Sequence, residues 1–424
     1  MDIVLLLIIF IVGTGSFGFF STITGINIST PMGTFEIGQI LLIIAFLTCF
    51  LKRKRRRINI RGTILFPLIF FVFLIILQFF RGFLGGLGLQ LSLRGIKGIY
   101  MFFYIFPLII LIKNRSQLQR FINYILLIGL ISSLAAIYQF LTGSTLGVSQ
   151  ARLFGGFSRI YHPGAVLMAI CFFISLSHFL VFGLQKKNIW MYVFAPFYII
   201  GILTTLHRSL IGTTIICSAI MIIIYLFYER KIKSIWKPIF GSLILILVLS
   251  YFFQKSGFGV ERLLLRGESA IMEIKYFQGN YAGRWEIFND TFLRIIKDSP
   301  LIGVGYKHES VANILGTYYI TNDNTYSNIL VLFGLIGLIV WLILIYKIAI
   351  LSIKTYKSTS KSSDKALYLS ILVMPLFFIA IGFFGALIIY SANLTTLITI
   401  IGILYLLKYF QMHTMIGVNT NEFT

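Results

Sequence analysis

Acidic side chains are scarce in this 424-residue chain, which has 13 Asp and Glu against 36 Lys and Arg. Only 12% of its residues are charged and 58% are hydrophobic, whereas a soluble domain is roughly 25% charged. This shortage of charge excludes an ordinary soluble domain and indicates helices that use the lipid bilayer as their solvent. The net charge of +23 fits basic loops that orient a membrane protein, so we expect no nucleic-acid partner.

Cysteine is equally sparse, and several catalytic motifs are missing. Cys49, Cys171 and Cys217 lie inside apolar runs, which predicts free core side chains and neither a disulfide framework nor a metal site. The chain lacks a P-loop, an HExxH pair, a nucleophile elbow and an Asp-x-Asp pair. These absences argue against an ATP-driven pump and against a cytoplasmic enzyme that uses nucleotide sugars, and no cofactor is expected.

Repeated apolar runs predict an all-α, polytopic transmembrane bundle of about twelve spans, forming a single domain over residues 1–424. With the N-terminus inside, more than half of the Lys and Arg residues fall in cytoplasmic loops. Both termini are then cytoplasmic, a flexible linker covers 358–365, and Gly382 and Gly385 form the last turn. The predicted spans are residues 3–20, 36–51, 63–80, 95–112, 121–141, 163–183, 189–206, 209–228, 238–254, 324–346, 366–382 and 387–407.

One long polar stretch, residues 256–322, interrupts this pattern and is predicted to be an extracytoplasmic loop. Apolar residues recur at helical spacing within 284–297, which predicts an amphipathic helix. Asp298-Ser299-Pro300 ends that helix, and Gly303 and Gly305 allow a tight turn. The helix either rests on the membrane surface or closes a cavity over a lipid headgroup. Its predicted apolar stripe is Trp285, Phe288, Phe292, Ile295 and Ile296.

Arginines at the predicted outer surface are candidates for binding phosphate, because a guanidinium group is permanently charged and its planar fork pairs with two oxygens. Arg208 separates two apolar runs, where it either binds a ligand or extends its charge to the interface. Arg152 and Arg159 lie in a glycine-containing loop before a span and are either interface anchors or a second cationic clamp on an anionic headgroup.

Two further arginines belong to the predicted amphipathic helix. Arg284 stands at its predicted start, where a cation opposes the helix dipole, so an anion is expected nearby. Arg294 lies on the polar face, where it either binds the ligand or is simply solvated.

Candidates for a general base follow in the same predicted outer region. Asp323 precedes a span and is either a helix N-cap or a base and polar contact for a sugar hydroxyl. His308 and His162 are alternatives for the same task.

Several of these motifs, in this order, resemble the O-antigen ligase and polymerase superfamily, which includes Wzy-like polymerases and lipid A-core ligases. The resemblance covers roughly residues 150–345 and includes the Gly283-Arg284-Trp285 motif. It also includes the Asp-Ser-Pro-Leu-Ile-Gly-Val-Gly stretch at 298–305 and Asp323-Asn324. Arg294 and Gly305 fit the arginine–glycine spacing of the polymerases. Asp323 replaces the histidine that opens this span in ligases, which favours a polymerase.

The resemblance implies a metal-independent, inverting glycosyl transfer from undecaprenyl pyrophosphate, with arginines on the pyrophosphate and a base at the acceptor hydroxyl. We expect a polymerase of lipid-linked repeat units that makes O-antigen, capsule or exopolysaccharide. A ligase acting on another acceptor is the alternative, and a lipid-linked oligosaccharide flippase is a second. The absence of an inverted repeat and of paired broken helices argues against the flippase. Expected partners are the lipid-linked substrate, membrane lipids, a chain-length regulator and a flippase.

Overall fold

The computed structural model describes most of the predicted bundle. The described residues are 28–30, 33–35, 37–51, 64–87, 92, 100–143, 150–152, 158–160, 164–183, 189–229, 251, 254–255, 268–269, 271–273, 275–305, 324–384 and 391–415. Predicted spans 3–20 and 238–254 fall mostly or wholly outside these ranges, as does most of the predicted loop before residue 268.

Helices dominate the described residues, which confirms the α-helical membrane class. Two short hairpins, each made of two three-residue strands, depart from the all-α prediction. Strands β1 (Ile28–Thr30) and β2 (Gly33–Phe35) pair antiparallel, as do β3 (Gln150–Arg152) and β4 (Ser158–Ile160). The helices are α1 (Ile37–Leu51), α2 (Leu65–Gly82), α3 (Ile105–Leu111), α4 (Arg115–Thr142), α5 (Ala165–Phe182), α6 (Ile189–Thr204), α7 (Arg208–Glu229), α8 (Gly279–Asp298), α9 (Thr325–Ser358), α10 (Ser362–Phe384) and α11 (Ser391–Met415).

Seven of the described helices are long and apolar enough to cross a membrane, namely α2, α4, α5, α7, α9, α10 and α11. Helix α6 and the helical stretch Phe102–Leu111 are apolar but shorter. The described part therefore does not establish twelve spans. Of the predicted turn at Gly382 and Gly385, the Gly382 part is wrong, because α10 continues through that residue to Phe384, and Gly385 lies outside the described residues.

Small residues let the spans approach one another closely, as is usual where lipid rather than water surrounds the helices. Gly201 of α6 is the clearest case, since a Cβ atom there would lie 2.8 Å from both Ser133 Cα and Met168 Sδ. Helices α4, α5 and α6 therefore share one contact point. The thiols of Cys171 and Cys217 are buried in this core and are free, as predicted.

Charged side chains close one end of the bundle, called here the Asp364 end. Arg115 at the start of α4 pairs with buried Asp364 of α10, and Lys365 lies 2.6 Å from Glu229 at the end of α7. Residues 362–365 belong to α10, so the prediction of a flexible linker over 358–365 is wrong. Burial and nearby Arg115 lower the pKa of Lys361 in the short connection that remains.

Candidate functional site

The opposite end of the bundle, called here the Arg208 end, carries the predicted amphipathic helix. Helix α8 runs from Gly279 to Asp298 and so begins five residues before the prediction of 284–297. Arg284 therefore lies beyond the first turn, where the effect of the helix dipole has faded. The argument from the helix dipole for an anion near Arg284 therefore no longer applies. The Arg284 side chain is half-buried and does have partners in the structure.

The apolar stripe of α8 faces the bundle along part of its length. The rings of Trp285 and Phe288 are 6.0 Å apart, and Trp285 lies 6.1 Å from Phe383 at the end of α10. Ile295 is fully buried, whereas Trp285 and Ile296 are 45% and 42% exposed, so the bundle covers the stripe only in part. Helix α8 is therefore packed against the ends of the spans, which favours the interpretation as a roof over them.

The segment after α8 inserts into a break in α9. Gly334 has φ 62° and ψ −159°, which interrupts the helix between Phe333 and Leu335. Residues Gly303, Val304 and Gly305 are buried beside this break, and we call residues 299–305 the plug. A side chain cannot fit where the two backbones meet, since a Cβ atom on Gly334 would lie 2.5 Å from Gly303 N.

Backbone hydrogen bonds from the plug satisfy both ends of the broken helix. Val331 O accepts from Val304 N at 2.9 Å and from Gly305 N at 3.2 Å, which caps the first half. Leu335 N donates to Pro300 O at 2.9 Å and Ile336 N donates to the next carbonyl at 3.1 Å, which caps the second half. Irregular backbone beside a span is tolerated when protein buries it. These half-helix ends are occupied, so they do not form the open ion site of a transporter.

Two side chains of α2 hold the plug from the other side. Gln78 Nε2 donates to Ile302 O at 2.7 Å, and Arg81 Nη1 donates to Gly303 O at 2.6 Å. Gln78 is almost completely buried, and Arg81 is half-buried. The predicted turn at Gly303 and Gly305 is thus confirmed. The segment also connects α8 to α2 and α9, which the sequence did not predict.

Removal of these anchors is expected to loosen the plug. Gln78→Leu leaves Ile302 O without its donor, at a cost of about 1–3 kcal/mol, which a lower unfolding temperature in detergent would report. Gln139→Leu, which also replaces a buried glutamine in a span, is the control for the substitution itself. Protease cleavage within 299–305 should increase for Gln78→Leu alone. Equal cleavage of the two variants would contradict the anchoring role.

Arg208 begins α7 directly after a turn at Thr205–Leu206. Its Nη1 atom lies 2.9 Å from Glu273 Oε1 and donates to Ser269 Oγ at 2.8 Å. The sequence suggested that Arg208 either binds a ligand or extends its charge to the membrane interface. The structure shows a third arrangement, an ion pair with Glu273. Its Nη2 and Nε atoms have no hydrogen-bond acceptor in the described part of the chain.

Glu273 and Ser269 are residues that the sequence interpretation missed. They belong to a short stretch before α8 whose spacing shows no catalytic motif. The scarcity of acidic residues was a signal, since each glutamate in so basic a chain is a natural partner for an arginine.

Asn324, not Asp323, is the N-cap of α9. The Asn324 side chain accepts from Tyr326 N at 2.9 Å and from Ser327 N at 3.2 Å. The interpretation of Asp323 as the N-cap is therefore wrong, which leaves its role as a base or polar contact as a prediction. Asp323, His308 and His162 themselves lie outside the described residues.

Unpartnered polar atoms are buried at the start of α9. Within the described part of the chain, Asn324 Nδ2 and Ser327 Oγ have no hydrogen-bond partner, and the same holds for Gln78 Oε1 on α2. All three residues are at most 2% exposed. Because buried polar groups are usually paired, Asn324 Nδ2 and Ser327 Oγ mark a polar region at the start of α9 with capacity to bind hydroxyl groups, adjacent in sequence to the predicted base.

The remaining predicted arginines are placed only in part. Arg152 lies in β3 opposite Ser158, and Arg159 lies in β4 opposite Ala151, in the hairpin that precedes α5. Their role as a second clamp stays a prediction. Arg294 is exposed on α8 and has partners in the structure. Of the predicted arginines, Arg208 and Arg284 are both associated with the beginning of the roof, Arg208 through Glu273 and Arg284 within α8.

Comparison with known proteins identifies the segment that contains this site. Residues 191–342 match the sequence model of a family described as O-antigen ligase. The match begins in α6 and ends in α9, so it includes Arg208, Glu273, α8 and the plug. No curated protein sequence matches the chain. This segment of the chain is thus similar to the O-antigen ligase/polymerase superfamily, whose members are glycosyltransferase-like enzymes.

Proposed function

We propose that this protein polymerises lipid-linked oligosaccharide repeat units by inverting glycosyl transfer from undecaprenyl pyrophosphate. The observation that carries the proposal is Arg208. Its guanidinium group lies at the Arg208 end beside the start of the roof, and its Nη2 and Nε atoms have no acceptor among the described residues. Those two nitrogens form the edge of the fork that pairs with two phosphate oxygens.

The chemistry requires stabilisation of a leaving group and removal of one proton. As the sugar–oxygen bond to the pyrophosphate breaks, negative charge grows on the departing phosphate, and a fixed cation lowers the energy of that charge. Arg208 supplies this cation, and Arg284, Arg152, Arg159 and Arg294 are candidates for further contacts. The acceptor hydroxyl attacks the opposite face of the sugar and loses its proton to Asp323 or to a loop histidine, His308 or His162. No metal is needed for either step.

The polar region around Asn324 and Ser327 suits the acceptor side of this reaction. Its unpartnered amide and hydroxyl groups are of the kind that bind sugar hydroxyls, and they lie next to Asp323 in sequence. The proposal therefore places the pyrophosphate near Arg208 and the acceptor sugar near the start of α9.

A ligase that transfers the finished glycan to another acceptor is the second candidate. The matched family is described as O-antigen ligase, which favours this reading, whereas Asp323 in place of the ligase histidine favours the polymerase. Either reaction requires the Arg208 end to face outward from the bacterial inner membrane, which puts both termini in the cytoplasm. A flippase would deliver the substrate, and a chain-length regulator would set the product length.

The surface glycan of a strain that lacks this gene distinguishes the two reactions. Glycan that carries a single repeat unit is expected if the protein is the polymerase. Lipid-linked polymer that never reaches its acceptor would instead identify a ligase. A normal glycan in the deletion strain would contradict both, provided that reintroduced wild-type protein reaches the membrane.

A further inference from the structure

We infer that Glu273 is a positioning residue for Arg208. It orients the guanidinium group so that the Nη2–Nε edge faces the anionic substrate, and it positions the start of the roof helix beside that edge. The inference rests on the proposed role of Arg208 in binding phosphate.

The hydrogen bonds of Arg208 divide its guanidinium group in two. Ser269 Oγ at 2.8 Å and Glu273 Oε1 at 2.9 Å both lie on Nη1. Ser269 Oγ accepts a hydrogen bond from Nη1, and the Glu273 carboxylate forms an ion pair with the same nitrogen, so the two partners hold one side of the guanidinium group. The three remaining hydrogens, on Nη2 and Nε, have no acceptor in the described part of the chain. An arginine that is held by two partners in this way is already oriented before a phosphate binds.

Glu273 also belongs to the turn that starts the roof. Its backbone oxygen accepts from Gln278 N, the residue before α8, at 2.9 Å. Gly279, the first residue of α8, has φ +61°, and a Cβ atom there would lie 3.2 Å from Glu273 Cδ. The carboxyl group is thus fitted against the first residue of the roof, so the position of the roof and the orientation of Arg208 depend on the same side chain.

The two ends of the roof are held differently. The plug fixes the C-terminal end through backbone hydrogen bonds to both halves of α9 and through Gln78 and Arg81. At the N-terminal end, Arg208 of α7 pairs with Glu273 in the segment before α8, and both partners of that ion pair are 25% exposed. An ion pair with this exposure is weak, so its value to the protein lies in orientation rather than in stability.

If Glu273 instead competed with the substrate for Arg208, its removal would change the kinetics in a different way. A carboxylate that merely occupies the phosphate site would compete with the substrate, so its removal would lower KM for the donor and leave kcat unchanged or higher. A positioning residue acts on the transition state through Arg208, so its removal lowers kcat with a small effect on KM.

The test uses the full-length protein in vesicles of bacterial lipid, with the undecaprenyl-pyrophosphate-linked repeat unit extracted from the deletion strain as the probe. Glu273→Ala is expected to lower kcat about tenfold or more, whereas Glu273→Gln keeps an acceptor oxygen and should stay within about threefold of wild type. Ser269→Ala should fall between them. Glu268→Ala is the matched control, because Glu268 is an exposed carboxylate on the same segment.

A double variant separates failure of this inference from failure of the proposed function. If Glu273 acts through Arg208, then Arg208→Ala with Glu273→Ala is no slower than Arg208→Ala alone. A further loss in the double variant, a lower KM for Glu273→Ala, or equal losses for Glu273→Ala and Glu268→Ala would each overturn the inference. Full activity of Arg208→Ala would overturn the proposed function and the inference with it. Should Glu273→Ala not accumulate, Glu273→Asp replaces it, since the shorter side chain withdraws the same carboxylate.

Discussion

Replacement of Arg208 by alanine is expected to lower the rate of glycan transfer by about 100-fold or more, the usual effect of removing a group that stabilises charge in a transition state. The expectation follows from the open Nη2–Nε edge, which the two described partners of Arg208 leave for an anion. The measurement is the turnover of lipid-linked repeat unit by purified protein, together with polymer length on the cell surface.

Arg208→Lys tests whether charge alone is sufficient. Lysine keeps the positive charge but lacks the planar fork that pairs with two oxygens, so most of the loss should remain. Arg120→Ala is the matched control, because Arg120 is an exposed arginine on α4 outside the proposed site, and this variant should keep wild-type turnover. Normal polymer length with Arg208→Ala, in protein that is inserted at wild-type levels, would contradict the proposed chemistry.

The sequence predicted the membrane class and the roof helix well because both depend on local patterns. Apolar runs of the right length are visible without knowledge of neighbours, and the apolar residues from Trp285 to Ile295 repeat at helical spacing. The start of α8 was placed too late, since its first turn, from Gly279, contains glycine and polar residues that give no apolar signal.

Contacts between distant segments were not predictable in the same way. The Asp-Ser-Pro-Leu-Ile-Gly-Val-Gly stretch is typical of a turn, and nothing in it indicates that Gly303 will contact Gly334. Likewise, Glu273 is far from Arg208 in the sequence, and no pattern in the intervening residues links the two. Such pairs are determined by how whole helices pack, and a single sequence does not record that packing.

The choice of helix cap shows a finer limit. Asp and Asn are similarly good N-caps, and they are adjacent at 323 and 324, so local preference does not choose between them. The structure chooses Asn324, whose side chain is buried and accepts from two backbone N–H groups. A neutral amide is less costly to bury than a carboxylate, which explains the choice.

Gly334→Ala is expected to destabilise the protein by at least about 3 kcal/mol, because two costs combine at this residue. The backbone at φ 62° and ψ −159° is a conformation that is essentially restricted to glycine. In addition, the new Cβ atom would lie 2.5 Å from Gly303 N and from Leu301 O, which are backbone atoms of the plug and have no room to move away. A lower unfolding temperature in detergent, and less protein in the membrane, would report the loss.

Gly212→Ala is the matched control, since a Cβ atom at this glycine of α7 would meet nothing within 4 Å, and alanine favours a helix by up to about 1 kcal/mol. Its unfolding temperature should equal or exceed that of wild type. Gly303→Ala approaches the same junction from the plug, where φ is +68° and the Cβ atom would lie 2.5 Å from Val331 O. Because either substitution separates the plug from α9, the double variant should lose less than the sum of the two single losses. Strictly additive losses would show that the plug and the broken helix are not one unit, and the roof would then lack its fixed end.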